Sequence, residues 1–434
     1  MENGRYVKSN HLLARAKKVT PLGAQTYSKS YRYFSEGNAP AFLARGEGCY
    51  VWDVDGNRFI DFVCSLGAVT VGYNNPRVNA AIERQLHKGI SFSMAAEIEV
   101  ELAQKLIEVI PCAEMVRFVK NGSDATASAV RLARAYTGRD MVAVCGYHGM
   151  QDWYIGSTEN RAGVPEDVCK LSKSFEYNKI DSLEKLFERY PGQIGAVILE
   201  PIQGDGPAAG FLQELKKTVN VNGALLIFDE VVSGFRYALG GASELYNVTP
   251  DLAACGKGMG NGLSMSAVVG RKEILELIGK KGVFISTTFG GEALSLAGTL
   301  ETVRILQEPG TYENVWRLGE LMLKGLKSLI AEYGLHDVMS VSGLPPHGGV
   351  AFEGAGSLDY LDINTVFQQN LTERGILSVG INNICLAHTE DEINSYLEAA
   401  KEGMREVREA VDRDSVDGLL RGAKLDPVFK RNIK

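Results

Sequence analysis

The run Leu225-Leu226-Ile227-Phe228-Asp229-Glu230 decides the fold class, because four apolar residues lead directly into two carboxylates. A short apolar run of this kind is typical of a strand buried on both faces of a parallel sheet. Open α/β sheets bind their ligands at the carboxyl ends of such strands. An acid at a strand end more commonly caps a neighbouring helix. The run therefore predicts an α/β fold and makes Asp229 a candidate ligand that needs further support.

Two similar apolar runs, residues 141–145 and 196–199, alternate with helical patterns along the same part of the chain. This alternation predicts a large, doubly wound and mostly parallel sheet domain over residues 71–310. We expect the N-terminal segment, residues 1–70, and the C-terminal segment, residues 311–434, to form a smaller α+β domain.

Two local patterns describe the smaller domain. Residues 51–60 place apolar side chains on both sides of an Asp-Gly turn, which predicts a β-hairpin. A calcium loop starting at Asp53 would need glycine where Arg58 stands, so the hairpin is the better interpretation. A Thr389-x-x-Glu392 capping box predicts the start of an amphipathic helix near the C-terminus.

The bulk composition excludes several classes of protein. The net charge is −7 and no block of basic residues occurs, which argues against a nucleic-acid partner. The apolar runs are too short to cross a bilayer, and residues 1–10 carry no signal-peptide hydrophobic region. The seven cysteines lie far apart without a CxxC spacing, so we expect no metal site and no disulfide framework. A reducing cytoplasm is the expected location.

Lys257 is the first residue whose surroundings favour catalysis. It lies in Gly256-Lys257-Gly258-Met259-Gly260-Asn261-Gly262, one lysine among four glycines. Such a run lets the backbone approach a flat ligand while presenting one amine. The structural alternative is a flexible surface loop with a solvated lysine. A dinucleotide-binding loop is disfavoured, because the spacing is not GxGxxG and no clear strand leads directly into the run.

Three more segments could surround a ligand. Asn121-Gly122-Ser123-Asp124 opens a helix rich in small residues, where backbone amides and a hydroxyl can hold a phosphate; ordinary helix capping is the alternative. Residues 286–292 offer hydroxyls and glycines ahead of another helix. Gly146-Tyr147-His148-Gly149 follows an apolar run, although a single histidine there is more often structural.

These segments together resemble the class III aminotransferases of pyridoxal-phosphate (PLP) fold type I, in the branch that contains glutamate-1-semialdehyde aminomutase. The resemblance covers nearly the whole chain and implies that fold. The motifs that carry it occur in a family-like order: Asn121-Gly122-Ser123, residues 131–139, Tyr147-His148-Gly149, Glu200-Pro201, Asp229-Glu230-Val231, Thr249-Pro250-Asp251 and Gly256-Lys257.

The resemblance implies roles for the two catalytic candidates. Lys257 would form a Schiff base with the PLP aldehyde and later move a proton. Asp229 would pair with the pyridine nitrogen and keep the ring protonated. Val231 and Tyr147 would pack on the two faces of the ring.

The resemblance also implies which residues bind the rest of the cofactor. Gly122 and Ser123 would hold the phosphate, joined by Thr288 from the other subunit of a homodimer. Asp205 and Glu200 would lie near the ring. The implied small-molecule partners are an amino donor and a carbonyl acceptor.

The substrate side departs from the aminomutase pattern, and Lys29, Leu66 and His148 are our substrate candidates. Lys29 stands where the aminomutase has an arginine for the substrate carboxylate, Leu66 where it has a tryptophan, and Gly380 where it has a glutamate. These changes favour a true aminotransferase that uses a donor such as glutamate and an aldehyde or ketone acceptor. The Thr26-Tyr27-Ser28-Lys29 segment resembles the N-terminal segment of enzymes in surface-polysaccharide pathways, and this resemblance implies a sugar-like acceptor.

Two other functions remain open at this stage. A glutamate-1-semialdehyde 2,1-aminomutase would move the amino group within one substrate and need no second keto acid. A non-catalytic PLP-fold protein usually lacks the lysine or the ring aspartate, whereas Lys257 and Asp229 are both present here.

Overall fold

The computed structural model describes residues 4–280 and 282–426. The strands of this part of the chain are β1 (Leu43–Glu47), β2 (Tyr50–Asp53), β3 (Arg58–Asp61), β4 (Met115–Val119), β5 (Met141–Cys145), β6 (Ser172–Ser174), β7 (Ile194–Leu199), β8 (Leu225–Glu230), β9 (Leu252–Cys255), β10 (Ser266–Gly270), β11 (Met339–Leu344), β12 (His347–Phe352), β13 (Ile376–Leu377) and β14 (Ile381–Asn383).

The regular α-helices are Val7–Ala16, Pro76–Leu86, Glu97–Val109, Gly122–Thr137, Asp152–Ile155, Glu166–Cys169, Ile180–Arg189, Phe211–Val221, Gly241–Leu245, Lys272–Leu275, Ala293–Leu306, Thr311–Glu332, Tyr360–Glu373 and Glu390–Arg413. A further short α-helical segment, Cys64–Gly67, contains residues with left-handed backbone angles. None of the helices in the described residues combines the length and the apolar character needed to cross a membrane.

The chain divides into two compact units. The large unit comprises Gly67–Thr70 and Pro76–Tyr312, and the small unit comprises the described parts of Met1–Leu66, Val71–Asn75 and Glu313–Lys434.

A seven-stranded sheet forms the centre of the large unit, in the order β4-β10-β9-β8-β7-β5-β6. The strands from β9 to β6 run parallel, and β10 runs antiparallel to both β9 and β4. Every residue of β5, β7 and β8 is buried. The predicted α/β class and the mostly parallel sheet are confirmed. The prediction succeeds because a continuously apolar strand must be covered on both faces, as in a parallel sheet.

One expectation about the large unit is wrong. The sequence showed no clear strand leading into the glycine-rich run around Lys257, but β9 ends only two residues before Lys257. Its sequence Leu-Ala-Ala-Cys contains two alanines, which favour strands weakly. Burial between β8 and β10 supplies the stability that local preference lacks.

The small unit contains two sheets, with the orders β1-β2-β3-β13 and β11-β12-β14. The predicted hairpin is present as β2 and β3, with Val51 opposite Phe59. The predicted capping box is also confirmed: the Thr389 N–H donates to the Glu392 carboxylate at 2.8 Å and begins the helix Glu390–Arg413. The apolar face of this helix packs in the core of the small unit.

Candidate active site

Asp229 lies near the end of β8 and is bonded on both carboxylate oxygens. Its Oδ2 lies 2.8 Å from His148 Nδ1, and its Oδ1 accepts the Val231 N–H at 3.1 Å. The aspartate and the histidine are 4% and 1% exposed, so the pair is desolvated. Because an ionised carboxylate can only accept, Nδ1 of His148 must carry the hydrogen. Two donors thus hold a buried negative charge in one orientation.

His148 is held in place from several directions. Its ring stacks on Trp153 at 16° between planes and meets Tyr154 edge to face at 5.1 Å between centroids. Its carbonyl oxygen accepts the Thr126 hydroxyl at 2.8 Å. Among the described residues, the other ring nitrogen, Nε2, has no hydrogen-bond partner. The structure therefore places this substrate candidate against Asp229, as a buried group that orients the carboxylate.

Lys257 follows β9, the neighbour of β8 in the sheet. In the register of these strands Asp229 lies opposite Ala254, so the lysine and the aspartate occur at the same edge of the sheet. Lys257 has a φ of 41°, in the left-handed region where a non-glycine residue costs about 1–2 kcal/mol. Strain of this kind is tolerated mainly at functional positions. The lysine is half-buried, which suits an amine that must reach a ligand.

The first turn of the helix Gly122–Thr137 offers an anion site built on close packing. The amides of Gly122 and Ser123 occupy positions whose N–H groups have no carbonyl within the helix. A Cβ atom on Gly122 would lie 2.7 Å from a Val231 methyl, and one on Gly149 would lie 2.4 Å from the Ser123 Cβ. The two glycines therefore allow the neighbouring chain segments to pack closely around this helix end, and the first N–H groups of a helix are suited to bind a phosphate.

Glu200 fixes the segment that carries Tyr147. Its Oε2 accepts the Tyr147 N–H at 2.8 Å, and a Cβ on Gly146 would collide with the same oxygen. The Tyr147 ring meets Tyr154 edge to face at 5.7 Å between centroids. Glu200 is thus bonded to the backbone next to the predicted ring contact, and its carboxylate is buried.

Two predicted cofactor contacts are exposed. Asp205 lies at the surface in the segment that follows β7, and Thr288 lies at the surface ahead of the helix Ala293–Leu306. Neither residue is packed into the edge of the sheet that holds Asp229.

Glu230, directly after Asp229, is a buried acid for which the sequence predicted no separate role. Its carboxylate accepts the Ala242 N–H at 3.0 Å, the Ser243 N–H at 2.9 Å and the Ser233 hydroxyl. Burial raises its pKa, although these donors oppose the shift. The residue links β8 to the helix Gly241–Leu245, and no local sequence signal separates this structural acid from its neighbour Asp229.

The substrate candidates Lys29 and Leu66 belong to the small unit. Lys29 is exposed, and its Nζ donates to the Ser65 hydroxyl at 3.0 Å. Cys64, Ser65 and Leu66 have φ values of 47°, 52° and 61°, so they form a left-handed turn. Each costs about 1–2 kcal/mol relative to a right-handed conformation. We call residues 64–66 the left-handed turn.

The residues at the edge of the large sheet fit PLP. They combine an anion-binding helix end, a buried carboxylate for a ring nitrogen, and an amine on the neighbouring strand connection. The family model described as Aminotransferase class-III matches residues 33–388. The chain belongs to the class III aminotransferases. It is a PLP-dependent enzyme, as the sequence predicted.

Individual relatives agree with this assignment. The glutamate-1-semialdehyde 2,1-aminomutase of Desulforamulus reducens is 36% identical over 427 residues, covering 92% of this chain and 98% of the relative. The 3-aminobutyryl-CoA aminotransferase of Cloacimonas acidaminovorans is 33% identical over 416 residues, with 94% and 99% covered.

A solved structure shows the same architecture. The FumI protein of a Sphingopyxis species, solved in its PLP internal aldimine form, has a TM-score of 0.85 and 27% identity, with 94% of this chain and 98% of that chain covered. The predicted fold type I is thereby confirmed for this aminotransferase.

Proposed function

We propose that this class III enzyme transfers an amino group from a donor such as glutamate to a separate aldehyde or ketone acceptor. Two observations carry the proposal: the large unit holds PLP-binding candidates at one edge of its sheet, and three substrate-side positions of the sequence depart from the aminomutase. The similar relatives bear both kinds of name, an aminomutase at 36% identity and an aminotransferase at 33%, so overall similarity does not separate the two reactions. The substrate-side residues must do so.

Gly380 supports the difference from the aminomutase. Its φ is +95°, a conformation that side chains rarely adopt, and a Cβ there would lie 3.2 Å from the Val350 carbonyl oxygen. A glutamate at this position would require a different backbone. The negative charge that the aminomutase carries there is therefore missing from this chain, and the local backbone is built around its absence.

Lys29 is our proposed contact for the carboxylate of the amino donor. The hydrogen bond to Ser65 restricts its long side chain, so less conformational freedom is lost on binding an anion. An ammonium pairs with a carboxylate as a point charge and lacks the two-point geometry of a guanidinium. A Lys29 site should therefore accept carboxylates with less demand on their orientation.

Each proposed cofactor residue has a distinct task in the reaction. PLP, when bound, supplies an electron sink for the charge left at the donor carbon. Lys257 holds the cofactor, and its Nζ then carries a proton between the substrate carbon and the cofactor. Asp229 holds a proton at the pyridine nitrogen, with His148 orienting the carboxylate. The amides of Gly122 and Ser123 bind the phosphate.

Glutamate alone is expected to convert the cofactor to its amine form and release one equivalent of 2-oxoglutarate per site. The reason is that a donor not held by an aminomutase-type pocket can leave after the first half-reaction. Absorbance spectra of the cofactor and assay of 2-oxoglutarate measure this step. A panel of aldehydes and ketones, including keto sugars, then identifies the acceptor by return of the original spectrum.

Lys29→Met provides the matched test of the carboxylate contact. It should raise the glutamate concentration needed for half-conversion, whereas Lys18→Met, at another exposed lysine, should not. Rapid isomerisation of glutamate-1-semialdehyde without amino exchange to added keto acids would contradict the transferase proposal and favour the aminomutase.

We further propose a homodimer in which Thr288 binds the phosphate in the partner's site. Thr288 is exposed next to Phe289, which is 58% exposed. The Ala293 N–H donates to the Ile90 carbonyl at 2.8 Å, which links this region to a segment where Phe92 and Met94 are 51% and 83% exposed. Several exposed apolar side chains in one region are typical of a surface that is covered in an assembly.

Light scattering of the PLP-bound protein at micromolar concentration should give twice the chain mass, since obligate interfaces are large and apolar. Thr288→Val should weaken PLP binding in the dimer, with Thr287→Val as the neighbouring control. A monomer that keeps its PLP would rule out the shared site.

A further inference from the structure

Two cysteines that are distant in sequence meet a histidine inside the small unit. The Sγ atoms of Cys64 and Cys385 and a ring nitrogen of His388 all lie within 4.8 Å of one another. Each of the three residues is at most 1% exposed. The absence of a CxxC spacing led us to expect no disulfide framework, yet folding brings one pair of thiols together.

The hydrogen bonds of His388 argue against a metal site. Its Nδ1 accepts the Cys385 N–H at 3.0 Å, so the lone pair on that nitrogen is already used. A neutral ring then carries its hydrogen on Nε2, which leaves no nitrogen lone pair for a metal ion. The two sulfur atoms are the chemically available part of the cluster.

Their surroundings give the two sulfur atoms different properties. The Cys64 sulfur lies 3.2 Å from the Asp61 carbonyl oxygen and 3.4 Å from that of Asn383, and its single S–H can donate either to one of these oxygens or to the Cys385 sulfur. When the Cys64 S–H donates to the Cys385 sulfur, this hydrogen bond holds the pKa of Cys385 well below its usual range against the opposing effect of burial. Cys385 is therefore the better nucleophile of the pair, because the thiolate is the reactive form.

We infer that Cys64 and Cys385 form a modification site, a dithiol that a hydroperoxide converts to a disulfide. The Cys385 thiolate attacks one peroxide oxygen, the O–O bond breaks, and the leaving hydroxide takes a proton from solvent. The sulfur of Cys64 then attacks the resulting sulfenic acid, and its proton leaves with the hydroxyl group as water. Two thiols are oxidised while one hydrogen peroxide is reduced to two waters.

The left-handed turn links this chemistry to substrate binding. Cys64 is its first residue, and the Cys64 N–H donates to Asp61 Oδ1 at 3.1 Å. The hydroxyl of the next residue, Ser65, accepts a hydrogen bond from the Lys29 ammonium. Drawing Cys64 Sγ away from its carbonyl partners toward Cys385 must shift this turn. The consequence for activity rests on the proposed carboxylate contact of Lys29: oxidation should raise KM for the amino donor several-fold and change kcat less.

The covalent claim is tested without an activity assay. The reduced, PLP-bound enzyme is exposed to hydrogen peroxide, its remaining thiols are alkylated, and the chain is analysed by intact mass and peptide mapping. We expect a loss of two hydrogens per chain, a cross-linked peptide containing Cys64 and Cys385, and full reversal by dithiothreitol. Cys64→Ser and Cys385→Ser should each abolish the cross-link. Cys112→Ser, at a buried cysteine of the large unit, should not.

Three results would overturn the inference. They are a cross-link between other cysteines, oxidation of Cys385 to a sulfinic acid with Cys64 still reduced, and a zinc ion retained by the two sulfur atoms. If a serine variant fails to fold, the peptide map of the unaltered chain still decides. A disulfide that forms without any change in KM would leave the modification site intact and count against the role of Lys29 instead.

Discussion

Lys257→Ala is expected to abolish covalent attachment of PLP and to lower turnover by orders of magnitude. The variant loses the amine that holds the cofactor and the group that moves the proton, and general acid–base catalysis alone contributes about 10²–10⁴-fold. The fold should persist, because the half-buried lysine side chain is not part of the apolar core. PLP should still bind reversibly through the amides of Gly122 and Ser123.

Borohydride reduction followed by peptide mapping measures this directly. In the unaltered enzyme the phosphopyridoxyl group should be found on Lys257, and in the alanine variant on no lysine. Lys272→Ala, at an exposed lysine of the same unit, is the control and should keep the label and the activity. A label on any other lysine of the unaltered enzyme would remove Lys257 from the catalytic role.

The strands that the sequence predicted well are those whose local pattern agrees with their environment. The runs in β5, β7 and β8 are continuously apolar up to the acids that end β8, and each strand is buried along its whole length. The strand β9 escaped prediction because Leu-Ala-Ala-Cys has weak strand preference and depends on its neighbours. Burial between its neighbours stabilises this strand, and a sequence of four residues does not reveal that burial.

The sequence could predict which residues form the candidate site, but not which of them contact one another. The position of Asp229 follows from the strand that precedes it, whereas its bond to His148 joins residues 81 positions apart. A histidine after an apolar run carries no local sign of its partner, so neither the commoner structural role nor the assignment of His148 to the substrate named Asp229 as the group that it contacts. The proximity of Cys64 to Cys385 could not be predicted either, because the two cysteines are far apart in the sequence and neither has a local pattern that indicates its neighbour.

Asp229→Asn is expected to keep the fold and PLP and to lose about a thousandfold in turnover. A carboxylate paired with a protonated ring nitrogen at about 4 Å and an effective dielectric near 20 contributes about 4 kcal/mol. That energy corresponds to about three pKa units of the ring nitrogen and, if fully expressed in the transition state, to about a thousandfold in rate. The amide has the same shape but no charge, so the ring would lose its proton near neutral pH.

The hydrogen bonds around Asp229 explain why the Asp229→Asn variant should still fold. The oxygen of the new side-chain amide can accept the Val231 N–H, and its NH₂ group can then donate to His148 Nδ1, provided that the histidine moves its hydrogen to Nε2. Nε2 of His148 has no partner among the described residues, so the tautomer change breaks no bond there.

Thermal unfolding, PLP content and a pH titration of the cofactor spectrum separate folding from chemistry in the Asp229→Asn variant. Asp251→Asn is the matched control, at an aspartate whose Oδ2 accepts the Leu226 N–H at 2.9 Å in the same sheet. The control should lower the free energy of unfolding without moving the spectral titration, because its carboxylate serves the backbone of β8 and not the ring. An Asp229→Asn enzyme with near-native turnover and an unchanged titration would exclude Asp229 as the partner of the ring nitrogen.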